Sequence, residues 1–311
     1  MGDLPGGLWP AMYTPLTADG SPNPAMIEKL VELFVAQELD GIYLLGATGQ
    51  GPGMTVDVRK QVAELTVKAN DGRLPIVIHV GAIATADAIE LAKHSADLGV
   101  EGVSSVPTIF FPTTIDVDFH HYHSIASATD LPFLPYYNAV SSGGFAVSTA
   151  EYIKRVLDIP NVVGMKLTSH DLYSFGLIHS IAKDRLLLYS GADELNCHAT
   201  LSGAHGAIGT YYNVWGGPFK KMRQACIDGQ FEASRDFMLT VQQVLDRVMA
   251  SGRSYRFGRQ AIQLLHGIDI GPGVSSHCSF GDDWEDAEVL SMCQQVEAAA
   301  GLLAVSNQTS F

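Results

Sequence analysis

Leu98-Gly99-Val100-Glu101-Gly102-Val103-Ser104-Ser105-Val106 is the stretch whose periodicity sets the fold class. A helical pattern runs out at Leu98, Gly99 suits a left-handed C-cap, and a short β-prone run opens at Gly102. Leu39-Asp40-Gly41-Ile42 and Leu201-Ser202-Gly203-Ala204-His205-Gly206-Ala207-Ile208 repeat the device, with Gly203 at the cap. Outward from these junctions, short apolar, β-branched runs occupy 7–13, 41–45, 75–80, 102–106, 132–137, 162–167, 186–189 and 206–210, eight in all. Between them lie helical faces such as Met26, Leu30, Leu33 and Phe34, then Val58, Val62, Leu65 and Ala69. Strands that are apolar throughout are buried on both faces, the mark of parallel strands with crossover helices. Eight such units predict an α/β chain folded as a (β/α)8 TIM barrel rather than an open sheet.

After Thr210 the β signal stops, and 218–229, 231–250, 255–266 and 283–300 read as additional C-terminal helices beside the barrel. Residues 1–213 are therefore expected to form the barrel core carrying the active site, with 214–311 supplying the final barrel helix and a helical extension. Pro135 would remove a ladder donor from strand five, which implies a bulge or an early end to pairing.

With 47% apolar and 17% charged residues, the 311-residue chain can bury one large core. A formal net charge of −14 argues against nucleic acid and anionic membranes as partners and for a small-molecule substrate. No basic residue precedes Lys29 and no apolar run reaches membrane length, so a cytoplasmic location is expected. Cys197, Cys226, Cys278 and Cys293 have no C-x-x-C spacing and read as free core thiols. His120, His121 and His123 cluster without a chelating pattern, and a solvated helix face explains them as well as a ligand set does. No metal is assigned.

Val162-Val163-Gly164-Met165-Lys166-Leu167-Thr168-Ser169 places a lysine near the end of an apolar strand. An amine of pKa ~10.4 is neutral in only about one molecule per 2,500 at pH 7, and desolvation can make it a nucleophile toward a ketone. A snorkelling or ion-paired structural lysine fits the spacing equally. Gly46-Ala47-Thr48-Gly49-Gln50-Gly51 follows a strand; its N–H groups and the Thr48 hydroxyl can hold a carboxylate, or the segment can be a tight turn without a ligand. Pro135-Tyr136-Tyr137-Asn138 ends strand five with two phenols, one of which should point into the barrel mouth. Gly191-Ala192-Asp193-Glu194 suits a substrate rich in hydroxyls, although negative charge is favoured at any helix start.

Taken together in chain order, these segments resemble the dihydrodipicolinate synthase and N-acetylneuraminate lyase superfamily of pyruvate-dependent class I aldolases, over nearly the whole chain. The resemblance implies that Gly46-Ala47-Thr48-Gly49 holds the pyruvate carboxylate, that Tyr137 transfers protons and that Lys166 forms the Schiff base. Lys166-Leu167-Thr168-Ser169, Gly191-Ala192-Asp193-Glu194 and Gly209-Thr210-Tyr211-Tyr212-Asn213 are most similar to the lyase branch. They imply sugar-chain contacts at Thr168, Gly191, Asp193, Glu194 and Thr210, with Ile208 of strand eight in the same binding set. The synthase branch has an arginine after the strand-five tyrosine, and Ala139-Val140-Ser141-Ser142-Gly143-Gly144 contains none.

The chain departs from the lyases at Ala47, where a hydroxyl residue usually stands, at Gln50, at Gly51-Pro52-Gly53, and after Tyr137-Asn138, where a proline is missing. Val106-Pro107-Thr108-Ile109-Phe110-Phe111-Pro112 lacks the tyrosines that synthases lend to a neighbouring subunit. The resemblance implies no metal or organic cofactor, a homotetramer, and pyruvate with an aldehyde or a 2-keto sugar acid as ligands. A 2-keto-3-deoxy sugar-acid aldolase, dihydrodipicolinate synthase, a keto-acid-binding protein without turnover and a nucleotide-binding α/β protein remain as alternatives.

Overall fold

The computed structural model describes residues 4–111, 113–139, 144–274, 278 and 280–306. Its strands are β1 (Gly7–Pro10), β2 (Ile42–Leu44), β3 (Ile76–His79), β4 (Gly102–Ser105), β5 (Phe133–Asn138), β6 (Gly164–Thr168), β7 (Leu187–Ser190) and β8 (Gly206–Gly209). They form one parallel sheet of eight strands in the order β1-β8-β7-β6-β5-β4-β3-β2. A parallel bridge between Ala11 and Tyr43 and the Met12 N–H bond to the Tyr43 carbonyl at 2.9 Å close β1 onto β2. The predicted closed barrel is the observed one.

Strand alternation divides the buried side chains into two cores. Trp9, Tyr43, Val77, Leu134, Tyr189 and Ile208 fill the barrel interior. Their neighbours Leu8, Ile42, Ile76, Phe133, Met165 and Leu167 face the helices. Each fully buried side chain of this size contributes about 1.5–3 kcal/mol, which is why most strand positions on both faces are apolar. The interior rings also explain two junction glycines. A Cβ at Gly41 would lie 2.4 Å from the Trp9 ring, and one at Gly206 would lie 2.8 Å from that of Tyr189.

The helices are α1 (Pro24–Ala36), α2 (Val56–Asn70), α3 (Thr85–Asp97), α4 (Ile115–Ala126), α5 (Thr149–Leu157), α6 (Leu172–Ala182) and α7 (Asn196–Leu201), followed by α8 (Tyr212–Ile227), α9 (Phe231–Ala250), α10 (Ser254–His266) and α11 (Asp286–Ser306). Asn23, Thr55, Ser148 and Asp171 cap α1, α2, α5 and α6 through side-chain bonds to the first-turn N–H groups. Gly99 and Gly203 follow their helices at φ of +71° and +96°, the left-handed geometry expected of them.

Pro135 sits at the expected irregularity: between the bridge of Phe133 with Val162 and the pair of Tyr136 with Lys166, two residues of β5 face three of the lysine strand, a one-residue bulge. Its register pair with Ser105 is also the last between β4 and β5. The final barrel helix starts earlier than the predicted 218, because α8 bends at Trp215 and carries Pro218 inside it. Pro218 cannot donate to the Val214 carbonyl; His266 Nε2 donates to it instead, at 3.1 Å. The expected division at 213/214 thus falls within a helix. The histidine cluster is also corrected: His121 is buried, with Nδ1 2.9 Å from Thr85 Oγ1 and Nε2 3.3 Å from Ser105 Oγ. All four cysteines are buried thiols. Among the described residues no helix is long and apolar enough to cross a membrane.

Arg59 ties α2 to the mouth end of β3. Its buried guanidinium donates to the Gly81 carbonyl at 3.0 Å and the His79 carbonyl at 2.7 Å, and burial pushes its pKa down to about 10. Arg59→Ala leaves two buried carbonyls without that donor and should cost about 2–4 kcal/mol. Urea unfolding should show the loss as a lower midpoint, and an unchanged midpoint would refute the role.

Candidate active site

On β6 the side chains of Met165 and Leu167 face the outer core, so Lys166 between them turns into the barrel, near the strand's C-terminal end. Only 5% of Lys166 is exposed, and its Nζ lies 4.4 Å from the centre of the Tyr43 ring and 4.2 Å from that of Tyr136. Burial lowers its pKa to about 7, and the charge of Asp193 opposes that shift. The two ring faces also favour the ammonium, by about 0.5–2 kcal/mol each, yet desolvation is larger. At neutral pH a substantial share of this lysine is free amine, against about one molecule in 2,500 for an exposed one.

The same alternation corrects the phenol. Leu134 lies in the barrel interior, so Tyr136, two residues on, faces inward, and it stands in register with Lys166. The Tyr136 hydroxyl is 3.2 Å from Thr168 Oγ1, and burial raises its pKa against bonds to Thr168 and Asn138. Tyr137 instead faces the helices, with its ring centre 4.6 Å from that of Phe145 and 5.3 Å from that of Tyr152. Its hydroxyl donates to the Gly144 carbonyl. The group beside the amine is therefore Tyr136, not the expected Tyr137. Only the register of β5 against β6 separates the two, and a single sequence does not carry it.

The loop after β2 is shaped differently from the expected glycine turn. Its left-handed positions are Leu45 and Gln50, at φ of 60° and 56°, which bracket Gly46-Ala47-Thr48-Gly49. Such positions cost about 1 kcal/mol or more in a residue with a side chain, so the surroundings must enforce them. Gln50 Oε1 accepts the Val274 N–H at 2.6 Å, its amide donates to Cys278 Sγ, and Thr14 Oγ1 donates to the Gly49 carbonyl at 2.7 Å. Gly49 permits close approach: a Cβ there would lie 2.8 Å from the Met12 carbonyl oxygen. Ala47 and Thr48 line the cavity above, and Thr48 Oγ1 meets Thr210 Oγ1 at 2.7 Å.

That cavity, of about 310 Å³, also gathers Thr168, Gly191, Asp193, Glu194 and Thr210. Gly191 leaves the space that two of its neighbours need, since a Cβ would fall 2.0 Å from Thr168 Oγ1 and 3.1 Å from Lys166 Cε. Asp193 is buried; its Oδ2 accepts the Tyr211 N–H at 2.7 Å, and burial raises its pKa to about 7. Glu194 is half-buried, with Oε1 2.8 Å from His170 Nε2. Four expected residues do not line the cavity: Ile208 belongs to the barrel interior, Gly49 lies under the loop, Tyr137 faces the helices, and Lys166 stands beside Gly191, which does line it.

The walls also contain Gln50 and Asn138, and residues that were not singled out, among them Tyr13, His170, Met249, Ser254 and Tyr255. Met249 and Tyr255 come from α9 and α10, so the site is not confined to residues 1–213. Their approach depends on packing of the C-terminal helices, which has no local signal. Among the described residues no group of three or more His, Cys, Asp or Glu side chains is placed to hold a metal ion.

Residues 4–267 match the dihydrodipicolinate synthetase family. The N-acetylneuraminate lyase of Danio rerio is 32% identical over 273 residues, covering 86% of this chain and 88% of the relative. That of Rhizobium meliloti is 30% identical over 266 residues, covering 86% and 87%. The solved N-acetylneuraminate lyase of Proteus mirabilis, 29% identical, superposes with a TM-score of 0.83 over 94% of this chain and 98% of that one. With barrel, lysine strand and relatives in agreement, the chain belongs to the dihydrodipicolinate synthetase family.

Proposed function

We propose that this enzyme cleaves a polyhydroxylated 2-keto acid to pyruvate and an aldehyde through a Schiff base on Lys166, as a class I aldolase similar to the N-acetylneuraminate lyases. The observation that carries this reading is a buried amine with a lowered pKa beside Gly191, which lines a cavity walled by hydroxyls and carboxylates. The free amine of Lys166 attacks the C2 ketone of the substrate, and loss of water from the carbinolamine gives the imine. The Gly46-Ala47-Thr48-Gly49 loop holds the adjacent carboxylate.

Tyr136, its ring against Lys166 and its hydroxyl on Thr168, is the group that exchanges protons. As the C3–C4 bond breaks, the C4 hydroxyl gives up its proton and becomes the aldehyde, and the bonding pair moves into the imine to form an enamine. Protonation at C3 and hydrolysis release pyruvate and return the amine. Glu194 accepts hydroxyls of the chain, and Thr168 and Thr210 pair with its remaining oxygens.

Condensation with an aldehyde that carries a second carboxylate is disfavoured. The described cavity wall contains no arginine or lysine, and the sequence Val140-Ser141-Ser142-Gly143 carries no cation. Asp193 and Glu194 would repel such a partner. A homotetramer in the cytoplasm, the state implied by the resemblance, is part of the same proposal.

Pyruvate with borohydride should add one lactyl-type group per chain by intact mass, and Lys166→Ala should abolish it; persistence of the adduct in that variant would remove the mechanism. Because burial lowers the Lys166 pKa, its nucleophilic form predominates above about 7 and is lost as pH falls through that value. The trapping rate, read with cyanoborohydride, should level off on the alkaline side and drop about tenfold per unit on the acid side. A profile still rising at pH ~9 would mean an unperturbed lysine.

Tyr136→Phe should lower kcat for N-acetylneuraminate cleavage by roughly 10²–10⁴-fold, with Tyr137→Phe far less affected. The reverse order would return the proton-transfer role to Tyr137.

A further inference from the structure

His170 has no part in the chemistry above, yet it stands at the rim of the cavity that carries it. It lies on the loop between β6, which bears Lys166, and α6. That loop is fixed on both sides of it: the Asp171 N–H bonds Ser169 Oγ at 3.0 Å, and Asp171 caps α6 through the Ser174 N–H at 3.1 Å and the Ser174 hydroxyl at 2.5 Å. From this anchored position His170 Nε2 reaches Glu194 Oε1 at 2.8 Å, while Gln242 of α9 holds the Glu194 carbonyl from behind, also at 2.8 Å. The His170 side chain is 61% exposed and that of Glu194 is 25% exposed. A pair so open to water adds little to stability, of the order of 0–1 kcal/mol, so its effect is on where the carboxylate is held.

The two carboxylates of the mouth are then unequal. Asp193 is buried against the loop after β8 and already accepts the Tyr211 N–H, whereas no described residue bonds Glu194 Oε2. Gly191 and Thr168 stand beside Lys166, so a ligand joined to it at C2 starts there, and a longer chain is needed to meet the more exposed Glu194.

Resting on the aldolase reading, we infer that His170 is a positioning residue for substrate length. By fixing one oxygen of Glu194 it presents the other to hydroxyls at the far end of the substrate, and so favours long, uncharged polyhydroxylated 2-keto acids over short ones. His170 also borders a second cavity, of about 610 Å³, walled by Phe145, Ser148 and Ser174, so the far end of a long chain is not met by a closed wall.

The test compares wild type, His170→Ala and His170→Gln in the full-length enzyme on two substrates. One is N-acetylneuraminate; the other is the short 2-keto acid formed from pyruvate and glycolaldehyde. Loss of one hydrogen bond that orients a charged acceptor corresponds to roughly a tenfold change. His170→Ala should raise the KM ratio of long to short substrate by about tenfold, with less change in the kcat ratio. His170→Gln, which can still donate to Glu194, should restore most of it. An unchanged KM ratio, or a glutamine no better than alanine, would overturn the inference. Borohydride trapping of pyruvate by wild type separates the two levels: trapping without the KM split sinks only the role of His170, while no trapping sinks the aldolase reading and this inference with it.

Discussion

The site depends on keeping an ionisable amine inside the barrel. Lowering the Lys166 pKa to about 7 corresponds to on the order of 5 kcal/mol against its charged form, a sizeable fraction of the stability of an ordinary domain. The barrel sustains this because its interior is filled by the buried side chains of Trp9, Tyr43, Leu134, Tyr189 and Ile208. The rings of Tyr43 and Tyr136 also receive the amine without hydrogen-bonding it away. Asp193 is pushed up to about 7 by the same burial. An acid and a base with such similar proton affinities, near each other in a dry site, can exchange charge at small cost, which suits a reaction that moves several protons per turnover.

The architecture was legible because burial on both faces removes most polar positions from a strand, leaving eight short, largely apolar runs that local sequence can display. Cap glycines were legible for a similar reason, since Gly99 and Gly203 need a backbone geometry that few other residues adopt. Lys166 stood out as a charge inside such a run. What was not legible depends on relations between distant segments. Tyr136 and Tyr137 differ only in which face of β5 they occupy, and that phase is set by pairing with β4 and β6. His121 is buried because α4 packs it toward Thr85 and Ser105, and Tyr255 reaches the cavity because α10 folds back over the barrel.

The loop after β2 shows how a correct location can go with an incorrect local cause. Its glycines suggested flexible backbone, yet Leu45 and Gln50 adopt the left-handed conformation and Gly49 serves close packing against β1. The constraint comes from residues more than 200 positions away, since Val274 and Cys278 grip the side chain of Gln50. A segment at the far end of the chain thereby sets the shape of a loop beside the first strands, and the C-terminal helices become part of the site's geometry.

The contact between Thr48 and Thr210 has a further implication. Loops from β2 and β8, the two strands that flank β1, satisfy each other's hydroxyls across the mouth. Entry of a substrate therefore exchanges one set of partners for another, without stripping water from isolated polar groups. The recognition groups are held in internal bonds, and the affinity that a ligand displays is the difference between two similar arrangements. Such a mouth can change the molecule it prefers through small alterations at its rim, while the barrel beneath it stays as it is.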